Sequence, residues 1–212
     1  MMKIVLCLVP IIIFALEYAF IKKYDKESHF TDLKVTDFIL PCCFWLMGDY
    51  LIMKAASLYD MWTISIIVGY LAFQSLCDGK YKKVYCIYNY LVIVYGGITD
   101  IVWIVNCHNT FEESQRLTVL IWVCVFLLVG RIGRLYGGGD GEVILALTTL
   151  LLPVSLLTIS TFLMGICAGF AFLLAQRLVE TCRAKLRGKT IDQGIALVPG
   201  ITLGLLVAIG LV

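Results

Sequence analysis

Apolar residues run through this chain in long blocks, separated by short polar stretches, rather than alternating with a strand period or marking one face of a surface helix. The blocks lie at about 3–20, 38–57, 61–77, 86–106, 117–134, 138–154, 156–176 and 195–212. A hydrocarbon core of about 30 Å needs about 20 residues of helix to cross it. Backbone polar groups in lipid are satisfied only within helices or closed barrels. The pattern therefore predicts an all-α, polytopic membrane bundle of about eight transmembrane helices, with the third and sixth blocks short. The first block has Lys3 ahead of it, Lys22 and Lys23 behind and no small-residue cleavage site, so it reads as an uncleaved span.

The charges between the blocks are lopsided. Fourteen basic residues fall in the odd-numbered connections (Lys22, Lys23, Lys26, Lys34; Lys80, Lys82, Lys83; Arg131, Arg134; Arg177, Arg183, Lys185, Arg187, Lys189) against Arg116 alone in the even ones. Basic loops stay in the cytoplasm, which predicts both termini outside. Composition agrees: 61% of residues are hydrophobic, 15% are charged and the formal net charge is +2. This excludes a soluble enzyme and a disordered chain, and leaves no basic field for nucleic acid. Nine scattered cysteines without a CxxC pair indicate neither a disulfide framework nor a zinc site, and read as small packers in helices. The whole of 1–212 reads as a single membrane domain, with N-terminal helices at 1–60 and a core at 61–212.

Ionisable residues in or beside spans are costly and therefore informative. Asp49 and Lys54 invite pairing along one helix or face a cavity, Glu17 and Asp100 sit towards helix ends where interfacial solvation or an interhelical hydrogen bond serves them, and Asp37 suits a helix start. Asp78, after GYLAFQSLC, and Asp140, in RLYGGGDGEV, stand apart. Both fall at the cytoplasmic ends of spans, and glycine-rich backbone before Asp140 admits a second chain closely. Two carboxyls meeting at one depth form an acid/base pair, one ionised to activate water and one protonated to polarise a carbonyl. That is aspartic peptidase chemistry.

On these residues the chain resembles the type IV prepilin peptidases, membrane aspartic peptidases of the GxGD type. Gly137-Gly138-Gly139-Asp140 fits G-x-G-D, Asp78 before a basic stretch is similar to the family's first aspartate, and IALVPGITLG, with Pro199 and Gly204, is similar to its closing helix. The resemblance implies catalytic Asp78 and Asp140, substrate-binding Gly137, Gly138 and Gly139, and accessory Asn89, Glu142 and Pro199. It implies cleavage of type IV pilin-like precursors at the cytoplasmic face of a bacterial inner membrane, with membrane lipid and the precursor as partners and no nucleic acid. It requires no cofactor or metal; S-adenosylmethionine would enter only in a bifunctional enzyme, for which no donor-binding signature is present. Three features depart from the family: Glu142 stands where a Lys is usual, the Ile-Pro-Asn-x-Leu element appears as Ile87-Tyr88-Asn89-Tyr90-Leu91, and the cytoplasmic CxxC domain is missing. Two other classes remain open: a small transporter or channel with a polar path of Glu17, Asp49, Lys54 and Asp100, and a catalytically inactive assembly protein.

Overall fold

The computed structural model describes residues 2–24, 33–55, 57–81, 83–106, 111–132, 138–152, 154, 159–186 and 197–211. Among them are eight α-helices: α1 (Met2–Tyr24), α2 (Ile39–Lys54, entered through the 3-10 turn Val35–Phe38), α3 (Leu58–Tyr81), α4 (Cys86–Asn106), α5 (Phe111–Ile132), α6 (Gly138–Leu151), α7 (Ile159–Leu186) and α8 (Leu197–Leu211). The chain is an all-α, multi-pass membrane protein. Among the described residues, five segments are long and apolar enough to cross a bilayer: α1, the turn with α2, α3, Cys86–Val105 and Leu163–Leu186. By contrast, α6 and α8 have 14 and 15 residues, or about 21–23 Å at 1.5 Å per residue.

The least apolar of the five is the innermost. α3 has a mean hydropathy of 1.2 and 89% of its span buried, whereas α1 has 2.6 and 28%. A helix that meets lipid on most sides must be apolar on most sides, so polar residues can accumulate only on a helix that other helices surround. Accordingly α3 carries Asp60, Thr63, Ser65, Gln74, Ser75 and Asp78, all buried. The Ser65 hydroxyl donates to the Met61 carbonyl at 2.8 Å, and Ser75 likewise donates to Leu71 one turn back. α1, α2, α6 and α8 pack on this post, α4 and α5 pack on α6, and α7 packs on α8. Leu51, Ile64, Leu71, Leu147, Leu151 and Leu205 close around the junction of α2, α3, α6 and α8.

Small residues set the closest crossings, as expected where helices associate without a hydrophobic drive between them. A Cβ on Gly48 of α2 would come within 2.8 Å of Val68 Cγ1, and one on Gly69 of α3 within 3.0 Å of the Pro10 carbonyl in α1. The tightest crossing is α7 on α8, where Gly165 and Gly169 face Gly200 and Gly204. The cysteines are not packers: of the eight described, only Cys77 is buried, while Cys42, Cys43, Cys86, Cys124, Cys167 and Cys182 are exposed on the outside of the bundle. In lipid the apolar exterior is as favourable a place for a thiol as the interior.

Side-chain bonds identify the two ends of the bundle. At one end Lys3 Nζ donates to the Met53 carbonyl at 2.8 Å, and Lys54 Nζ to the Gly210 carbonyl at 3.2 Å. Each lysine answers orphan carbonyls and the negative pole of a helix C-terminus. Lys54 is thereby committed to α8. It makes no ion pair with Asp49 among the described residues, because positions five apart point about 140° away from each other around a helix. At the other end Asp37 pairs with Lys80 and accepts the Lys34 backbone N–H at 2.8 Å, closing the entrance to α2, and the Tyr88 hydroxyl donates to the Glu17 carbonyl at 3.1 Å.

Candidate functional site

Asp37, Asp78, Asn89, Asp140, Glu142 and Pro199 gather at this second end, where α3 finishes and α4, α6 and α8 begin, whereas Lys54 and Asp100 lie towards the other. Asp78, on the last turn of α3, is only 5% exposed. Its Oδ2 accepts the backbone N–H of Val198 at 3.0 Å. Val198 is the second residue of α8, so Asp78 caps a neighbouring helix: it satisfies an orphan donor and places negative charge at the positive pole. Pro199 follows, buried in the same first turn, where a missing N–H costs nothing.

Asp140 is the third residue of α6 and half-buried. Gly138 opens α6, and Gly137 lies outside the described residues. Gly139 takes the close approach foreseen for this segment, but from within the chain: a Cβ there would sit 3.0 Å from Val84 Cβ.

The richest polar cluster lies around Asn89. It is fully buried on the first turn of α4, and its Oδ1 accepts the Tyr70 hydroxyl at 2.5 Å and Gln74 Nε2 at 3.1 Å. Its Nδ2 donates to Glu142 Oε2 at 3.2 Å, while the Tyr90 hydroxyl donates to Glu142 Oε1 at 3.0 Å. Gln74 is itself fixed by the Tyr85 backbone, donating to its carbonyl and accepting its N–H, both at 3.2 Å. One network thus binds α3, α4 and α6. Asn89 and Glu142 both figured in the sequence analysis, but as separate accessories. Tyr70 and Gln74 were missed; four residues apart on a helix of low hydropathy, they signal an inward polar stripe.

Glu17 is enclosed among the helices: it is 6% exposed on α1, and its Oε2 has no hydrogen-bond partner among the described residues. Asp100 of α4, equally buried, likewise has one unpartnered carboxylate oxygen. No group of three or more metal-ligating side chains occurs among the described residues.

The capping bond yields a graded prediction. Asp78→Ala should lower stability by about 1–2 kcal/mol, and Asp78→Asn, which retains a carbonyl acceptor, should recover most of that. Thermal unfolding in detergent reads both; an Asn variant as unstable as the Ala variant would refute the cap.

No family model and no solved structure matches the chain. Among curated proteins it is similar to the CD151 antigens of Chlorocebus aethiops and Macaca mulatta, each 26% identical over 96 residues, covering 45% of this chain and 34% of theirs. The chain thus spans about a third of the length of the curated relatives it matches. CD151 antigen is a tetraspanin and not an enzyme. This similarity overturns the prepilin peptidase resemblance, and with it the endopeptidase activity and the roles in pilus assembly and secretion. The resemblance rested on short elements that membrane packing also produces: a glycine turn before a helix, an acidic cap, and a glycine seam in α8. The bacterial inner membrane drew its support from that resemblance alone, and the similar proteins are from monkeys.

Proposed function

We propose that this chain is a non-catalytic membrane protein that organises other membrane-spanning proteins through lateral helix contacts. The similarity to CD151 antigen carries this reading. The site supports it, since Asp78 and Glu142 are occupied in joining helices. The outer helices meanwhile turn long apolar faces to the bilayer, for example Leu91, Val94, Ile98, Ile101 and Val105 on α4.

In this reading the chain crosses the bilayer eight times. α4 starts at the Asp78 end, and the antiparallel packing of α7 on α8 puts the start of α7 at the other end. Because α6 also starts beside α4, α5 must return to the Asp78 end and α6 must leave it. The Asp78 end carries Lys22, Lys23, Lys80, Arg183 and Lys185, and we place it in the cytoplasm by the retention of basic loops. Photoreactive residues at Val94 or Ile98 should give discrete protein adducts in native membranes, and one at Leu71, buried in α3, should give none. Adducts to lipid alone from every outward position would overturn the reading.

A solute path is the second reading, favoured by the unpartnered buried oxygens of Glu17 and Asp100. It expects ion or solute flux in proteoliposomes that Glu17→Gln or Asp100→Asn abolishes.

A further inference from the structure

The carboxylate of Glu142 is presented sideways, one turn inside the basic end of the bundle, and has no ion-pair partner among the described residues. Its hydrogen-bond partners are all neutral, Asn89, Tyr90 and the Cys86 thiol, whereas a carboxylate has about four lone-pair sites. Among the described residues the ion pairs are Lys80 with Asp37 and Arg177 with Glu180, and neither involves Glu142. The group cannot readily turn inward, because Tyr70 and Gln74 hold Asn89 Oδ1 and so aim its amide at Glu142.

The way in is lateral. Beside Glu142, α4 exposes Ile87 (50%), Tyr90 (56%), Leu91 (61%) and Val94 (61%). This apolar wall with one acidic notch suits a helix in the bilayer. A cation approaching from water meets the field of Lys80 and Lys83 first.

We propose that Glu142 is the docking point for a lysine or arginine carried by a partner transmembrane helix, one turn inside the basic side of the membrane. The inference rests on the lateral-assembly reading and specifies its partner. A cation delivered within an apolar helix exchanges a poorly solvated position for a preorganised carboxylate, and interhelical polar contacts of this kind are worth a few-fold to about twentyfold in affinity.

The test places the full chain in phosphatidylcholine vesicles with a dye-labelled Leu/Ala transmembrane peptide carrying either one Lys at that depth or Leu in its place. Energy transfer to the labelled chain should show the Lys peptide binding about three- to twentyfold more tightly. Glu142→Gln should erase the preference, and Glu142→Lys should transfer it to a peptide with Glu at that position. Tyr90→Phe, which removes an exposed donor and threatens the fold less, should alter the preference without altering binding of the Leu peptide. Equal binding of the two peptides, or a preference that survives Glu142→Gln, overturns the inference and leaves lateral assembly standing. Binding of neither peptide also overturns it, while photo-crosslinking judges lateral assembly separately.

Discussion

Replacing Gly204 by valine should part α7 from α8 and cost the protein about 3 kcal/mol or more, the upper range for overpacking. A Cβ at this position would fall on the Gly165 carbonyl and the Gly169 amide, and 2.7 Å from Gly169 Cα. These are backbone atoms, so no rotamer change relieves the clash and the helices themselves must move. The neighbours are set as tightly: a Cβ on Gly169 would lie 2.7 Å from Ile201 Cα, and one on Gly165 2.9 Å from Leu205 Cα. Displacing α8 would also withdraw Val198 from Asp78, coupling the seam to the polar end. Gly97 of α4 supplies the control, because nothing lies within 4 Å of a Cβ there. Gly97→Ala should be neutral or gain up to about 1 kcal/mol of helix propensity. Thermal unfolding in detergent should separate the two variants widely, and a Gly204→Val protein that melts like the parent would contradict the seam.

The helices were legible because hydropathy and charge act locally. Lipid demands apolar blocks, basic connections interrupt them, and the blocks matched eight helices to within a few residues at most ends. The identity of the central helix was less evident. Its block, 61–77, looked like a weak span because Gln74, Ser75 and Asp78 dilute it, yet those residues are tolerated only because α3 is enclosed. Weak hydropathy marked depth within the protein rather than a doubtful crossing, and that distinction depends on which helices become neighbours.

The polar site was half legible. Asp78, Asn89, Glu142 and Pro199 were marked, and all four lie where α3 ends or where α4, α6 and α8 begin. Their contacts were not legible, because a short motif records composition and spacing, whereas a carboxyl's task depends on what faces it. Asp78 faces an amide at a helix start and caps it; Glu142 faces an amide and a phenol and anchors a network. The partners that decide this, Tyr70, Gln74 and the Val198 backbone, lie 19, 15 and 120 residues away from Asn89 or Asp78 along the chain. No local pattern displays them.

Asn89→Leu should be the most damaging change in that network. It deletes the only acceptor of the Tyr70 hydroxyl among the described residues, one of two for Gln74 Nε2, and a donor to Glu142, in a setting where Asn89 and Tyr70 are fully buried. Interhelical hydrogen bonds in bilayers average roughly 0.6 kcal/mol apiece, and stranded buried polar groups cost more than the bonds themselves, so the loss should be about 2–3 kcal/mol. The stranding component can be isolated. Tyr70→Phe alone removes a donor from Asn89 and should destabilise. In the Asn89→Leu background the same change removes a hydroxyl that already lacks its partner, and should be nearly neutral or restore stability. Melting temperatures of the two single variants and the double variant give the coupling directly. If the two losses simply add, Tyr70 and Asn89 do not share a bond, and the network cannot be what joins α3, α4 and α6.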